Sequence, residues 1–140
     1  MNITLYGRPI SKKNSRILLR RGGRVFNIPS DAFRRFQQHA VAELKKVRST
    51  TKCGTITDKV ALRLIFYQKG RMHQDIDNAV SSILDVLQEA KIIKDDDQVV
   101  SVSCEKWGGY KNWVTFISLE PVIATERPVD PQGIKLTGQG

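Results

Sequence analysis

Between residues 59 and 106 the apolar pattern changes period twice, from strand to helix and back to strand. Val60, Leu62, Leu64 and Phe66 alternate, with Ala61 and Ile65 on the opposite side. Apolar residues on parts of both faces predict an interior strand over 59–67. After a loop at 68–74, Ile76, Val80, Ile83, Leu84 and Leu87 recur at helical spacing. They predict the buried stripe of a helix over 76–89, with Asn78, Ser81, Asp85 and Glu89 on its other side. Strand character returns over 98–106, where Cys104 alternates with Val100 and Val102 as a core position. A last strand is expected over 112–119, joined to its predecessor by a hairpin at Gly108-Gly109, with Trp107 and Trp113 packed across the strands.

The rest of the chain supplies partners for this unit. Ile3 and Leu5 alternate in a short strand over 2–6, closed by Gly7-Arg8-Pro9. Residues 11–25 are a basic loop or hairpin with Gly22-Gly23 as its turn. Ser30 is an N-cap candidate for a helix running to about residue 48, whose stripe is Phe33, Phe36, Ala40, Leu44 and Val47. His39 lies near that stripe and is expected to be structural. Residues 49–58 form a polar linker. After Glu120 the periodicity fails, so a domain over 1–122 and a tail over 123–140, mobile or docked, are expected. The expected fold class is α+β: a small mixed β-sheet with two main helices packed against it.

Charge is distributed unevenly. Residues 1–48 carry twelve Lys/Arg against two acids, a balance of +10, and residues 49–140 carry eleven against twelve, a balance of −1. A basic half suggests a polyanionic partner, of which nucleic acid is the commonest; a solvated basic surface is the alternative. Cys53 and Cys104 have no metal-type spacing, and a reducing compartment is expected. No apolar run approaches a membrane span and no apolar signal region opens the chain, so a soluble cytoplasmic protein is expected, with no membrane partner.

Seven of the fourteen acids lie between Asp75 and Asp97, as Asp75/Asp77 at one end of the second helical pattern and Asp95/Asp96/Asp97 at the other. If 74–77 is extended, Asp75 and Asp77 face one spot and repel unless a cation neutralises them. Hard divalent cations such as Mg²⁺ take carboxylate oxygens. The alternative stays open: Asp75 and Asp77 as acids favouring a helix N-terminus, with Asp77 an N-cap, and Asp95–Asp97 as a solvated turn. A 14-residue helix is about 21 Å long, so the clusters meet only if the chain turns back, for instance with strand 98–106 beside strand 59–67. The spacing excludes an EF-hand, and there is no P-loop, zinc-protease helix or nucleophile elbow. His73 is expected to be a surface loop residue.

The residues D75-I-D77-N78, a helix containing I83-L84-D85-V86-L87, D95-D96-D97-Q98-V99-V100 and the opening G7-R8-P9-I10-S11-K12-K13-N14-S15-R16 resemble the RusA family of Holliday-junction resolvases. The resemblance spans about residues 3 to 119. It implies a RusA-like fold and a homodimeric, Mg²⁺-dependent hydrolase, with Mn²⁺ as a substitute, that cuts four-way DNA junctions by paired nicks. It implies that Asp75, Asp77 and Asp96 converge as catalytic metal ligands. Asp85, Asp95, Asp97 and Asn78 rank second: Asp85 matches the family's helix aspartate and either supports a ligand or faces water, and shaping the turn is the alternative role of Asp95 and Asp97. Lys12, Lys13, Asn14, Arg16, Arg20, Arg21, Arg24, Lys69 and Arg71 are the candidate DNA contacts. One position departs from the family: a lysine is usual four residues after the second aspartate, and here stands Ser81. Lys69, Arg71, Lys12 or Lys13 are the candidates to replace it. The alternative function is a structure-selective DNA-binding protein that cuts weakly or not at all, and flaps or forks are alternative substrates.

Overall fold

The computed structural model describes residues 1–11, 16–52, 54–71 and 74–123, and for the strands at 16–21 and 24–29 the backbone. The elements, in chain order, are β1 (Asn2–Tyr6), β2 (Arg16–Arg21), β3 (Arg24–Pro29), α1 (Asp31–Thr51), β4 (Val60–Lys69), α2 (Ile76–Glu89), β5 (Val99–Tyr110) and β6 (Val114–Pro121), with a 3-10 turn at Asp96–Gln98 before β5. This is the expected α+β class. Four strands form a mixed sheet in the order β1-β6-β4-β5, and β2 pairs with β3 in a separate hairpin turned at Gly22-Gly23.

β4 is the interior strand its sequence predicts. Val60, Leu62, Leu64 and Phe66 are buried on one face, while Ala61, Ile65 and Tyr67 are half-buried on the other. β5 lies parallel to it and β6 antiparallel. A parallel neighbour requires a crossover, which α2 supplies. α2 therefore runs back along the sheet, from the end of β4 to the start of β5.

The core lies between one face of the sheet and the two helices. α1 is capped as expected: the Phe33 N–H donates to Ser30 Oγ at 3.1 Å. It buries Phe33, Phe36, Ala40 and Leu44. Leu44 is fully buried; truncating such a leucine to alanine costs about 2–5 kcal/mol.

Several expectations are corrected. α2 buries Ala79, Ser82, Ile83, Val86 and Leu87, so its inward face is turned from the predicted stripe, and Val80 and Leu84 pack only at its margin. α1 runs through Thr51, past the expected end, because Lys52 closes it in the left-handed region and its N–H donates to the Arg48 carbonyl. His39 is exposed. β5 and β6 form no hairpin, because β4 lies between them. The strand that is apolar on both faces takes the centre, and residues 111–113 step across its end. That step is about 10 Å, two strand spacings, which a short connector spans. Gly108 and Gly109 lie inside β5, and the Gly109 N–H donates to the Gly70 carbonyl. Gly109 has φ +89° and Gly70 φ +67°, so glycine suits both places where the strands bend past each other. The two tryptophans consequently do not pair. Arg8 lies over the Trp113 ring at 5.2 Å, and Trp107 Nε1 donates to Glu105 at 3.1 Å. As an edge strand β5 is largely exposed, which leaves Val100 and Val102 in solvent while Cys104 packs against the core. Cys53, His73 and the expected tail beyond Ile123 lie outside the described residues.

Candidate active site

The first acidic pair sits where α2 begins. Asp75 is the N-cap residue, with extended backbone (φ −66°, ψ 137°), and its carbonyl accepts the Ala79 N–H at 3.1 Å. Its carboxylate makes no capping hydrogen bond. Asp77 is already in the first helical turn, so the pair does not share a strand-like extended segment. Asn78 joins them instead: its Nδ2 donates to Asp75 Oδ2 at 3.4 Å and its backbone N–H to Asp77 Oδ1 at 2.9 Å. Both carboxylates are exposed. The partial positive charge of the helix N-terminus lies beside them.

The segment leading into this pair is braced. Gln74 Nε2 donates to the Pro9 carbonyl at 2.6 Å, and Lys106 Nζ donates to the Gln74 carbonyl at 2.9 Å. Lys106 reaches this point because the parallel register sets it beside Phe66, near the end of β4. No sequence spacing signals this contact, since register brings together residues 32 apart. Gln74 Oε1 and both amide atoms of Gln68 are buried here without a partner among the described residues.

The second acidic cluster sits at the opposite end. Asp95 caps the 3-10 turn: its carboxylate accepts the Asp97 N–H at 3.1 Å, while Gln98 Oε1 accepts the Asp95 N–H at 2.8 Å. Gln98 also accepts the Lys94 N–H and donates to the carbonyls of Ile56 and Asp58, both at 2.9 Å. Gln88, near the end of α2, holds the Asp96 N–H at 3.0 Å. The bond from the Asp97 N–H holds the Asp95 carboxyl below its ordinary pKa, and the side-chain hydrogen bond with Asp95 pushes Asp96 above it.

Strand 98–106 does run beside β4, as the convergence of the clusters required, but parallel to it. That direction keeps the clusters apart. Gln88 is thirteen residues along the helix from Asp75, or about 20 Å at the helical rise. Among the described residues no three His, Cys, Asp or Glu side chains come together as a metal-binding group. The structure thus brings Asp75, Asp77 and Asn78 together, and Asp95, Asp96 and Asp97 together, and does not join the two sets within one chain. Asp85 is exposed towards the far end of α2, and Ser81 is half-buried nearer its start.

Of the candidate DNA contacts, Lys69 and Arg71 are exposed near the end of β4. Arg16, Arg20, Arg21 and Arg24 lie on the β2–β3 hairpin. Lys12, Lys13 and Asn14 fall outside the described residues. No helix among those described is long and apolar enough to cross a membrane.

Two comparisons with known proteins bear on these features. The family model described as endodeoxyribonuclease RusA matches residues 7–120. A crossover junction endodeoxyribonuclease RusA from Aquifex aeolicus is 30% identical over 98 residues, which cover 70% of this chain and 73% of that protein.

Proposed function

This chain belongs to the RusA family of endodeoxyribonucleases, and we propose that it resolves four-way DNA junctions by paired phosphodiester hydrolysis as a homodimer using Mg²⁺. The observation that carries this reading is the state of Asp75. It occupies a capping position and does not cap, while Asn78 holds its carboxylate and that of Asp77 at an exposed helix end. An acid present only to start a helix would accept a first-turn N–H.

Asp75, Asp77 and Asp96 are the proposed metal-holding residues, an all-carboxylate donor set of the kind hard divalent cations take. When bound, such a metal supplies Lewis-acid stabilisation of phosphate oxygens and a more acidic water. The protein's own part is to fix two carboxylates through Asn78, to hold Asp96 by its backbone through Gln88, and to neutralise DNA phosphates with its basic half. Contacts to phosphate set position without reading sequence, which suits a substrate recognised by shape.

One chain leaves Asp96 about 20 Å from Asp75 along α2. We therefore propose that the third carboxylate comes from a second copy. β5 is a twelve-residue edge strand with exposed Val100 and Val102. Among the described residues its outer edge has no partner strand, and such an edge offers unpaired backbone groups. A two-fold axis beside it would run two β5 strands antiparallel and set the Asp96 end of one copy by the Asp75 end of the other. Two such sites in one dimer match the two strands of a junction that must be cut.

The test is nicking of a synthetic four-way junction with Mg²⁺, against linear duplex, flap and fork substrates and an EDTA control. Asp77→Asn should bind the junction and not cut it. Full activity in that variant overturns the assignment. The position of Ser81 supports a second reading, a junction-binding protein that cuts weakly, which predicts tight binding with no nicking in Mg²⁺ or Mn²⁺.

A further inference from the structure

Resting on the nuclease reading above, we propose that Lys106 is the cation that meets the scissile phosphate, in the place a lysine at position 81 would otherwise fill. Of the replacements for that lysine expected from sequence, Lys69 and Arg71 are exposed. Lys12 and Lys13 lie outside the described residues. Lys106 was not among them, and the fold brings it to the right end of the molecule.

The geometry has three parts. Lys106 is half-buried on β5, on the face α2 covers, and its ammonium is held at 2.9 Å by the carbonyl of Gln74, the residue before Asp75. Gln74 is anchored in turn by its own amide to the Pro9 carbonyl at 2.6 Å, so the carbonyl that holds the lysine is itself braced. Finally, no carboxylate among the described residues pairs with the charge. Among the described residues the ion pairs are Lys46–Glu43 and Arg63–Glu105, and neither involves Lys106.

An ammonium has three donors, and the Gln74 carbonyl takes one. Two remain for a phosphate oxygen brought against Asp75 and Asp77. A lysine paired tightly with those aspartates would compete with a metal for them. A lysine held by a neighbouring backbone carbonyl keeps its charge beside the site without occupying it. A fixed cation of this kind stabilises the extra negative charge of the pentacovalent transition state more than it stabilises bound DNA. It should therefore affect the rate of cutting more than affinity.

The decisive variant is Lys106→Gln, which keeps a donor for the Gln74 carbonyl and removes the charge. Single-turnover nicking of a four-way junction should fall about 100-fold, the scale of losing one oriented transition-state donor. Junction affinity in Ca²⁺ and the Mg²⁺ concentration for half-maximal rate should stay close to those of the wild type. Adding S81K to Lys106→Gln should restore much of the rate, because it returns only the cation that Lys106→Gln removes. If S81K unfolds the chain, Lys106→Arg replaces it and should cut within about tenfold of wild type, since the transition-state charge is still met. Wild-type cutting by Lys106→Gln overturns the proposal. So does a loss of rate that neither S81K nor Lys106→Arg relieves, which would make Lys106 a loop staple. A wild-type chain that cuts no substrate overturns the nuclease reading, and this role with it.

Discussion

The two ends of α2 carry acids of the same type in different employment. At its start, Asp75 sits on the helix cap and does not cap, and the Asp77 carboxylate accepts the N–H of the neighbouring Asn78. Beyond its end, Asp95 caps a turn, and the turn is stapled by Gln98 to the stretch before β4 and by Gln88 to the helix. The first pair contributes little to folding, whereas the second is embedded in it. The lesson is that a local run of aspartates divides into structural and chemical members by what accepts or donates to each, not by its density of charge.

That contrast can be broken by mutation. The largest effect should be on chemistry at the first end. Asp77→Asn should reduce junction nicking by at least about 100-fold while leaving thermal unfolding nearly unchanged, as expected for an exposed site. Mixing Asp77→Asn with Asp96→Asn subunits sharpens the point. If the site is shared between copies, the mixed dimer has one intact site and regains nicking of a single strand; if each chain builds its own, the mixture stays inactive.

At the second end the largest effect should be on stability. Gln98 is buried and its side chain makes four hydrogen bonds, so Gln98→Ala should destabilise by about 3 kcal/mol in urea unfolding. Asp95→Ala removes the turn's cap and should cost about 1 kcal/mol, whereas Asp95→Asn should cost little, since asparagine caps well. The smallest effect is electrostatic. Folding raises the Asp96 pKa through its hydrogen bond to Asp95, so the folded state binds that proton more tightly. Its contribution to stability is present at low pH and lost as pH rises through the folded value, and Asp95 has the opposite sign. Asp95→Asn should bring the Asp96 titration down towards its ordinary value by carboxyl NMR. An unmoved midpoint would show that the two carboxyls do not interact.

Much of the fold was legible in the chain. β1 and α2 have the expected bounds, and Ser30 caps α1, because period and capping chemistry are local properties. The hairpin expected at Gly108-Gly109 does not form, for an equally physical reason. Two strands joined by a short connector usually pair, but here β4 is apolar on both faces and claims the position between them. Once β5 became an edge strand, Val100 and Val102 lost their buried places.

The candidate site divides along the same line. Residue type and spacing alone singled out Asp75, Asp77 and the Asp95–Asp97 run as carriers of hard oxygen donors in an otherwise basic protein, because charge and carboxylate chemistry belong to the residue itself. Only the tertiary structure decided that β5 runs parallel to β4. That direction sets the acid clusters at opposite ends of one chain and puts Lys106 against the loop before Asp75. Strand direction and register are settled by which faces must be buried together, a property of the packed sheet that no single segment contains.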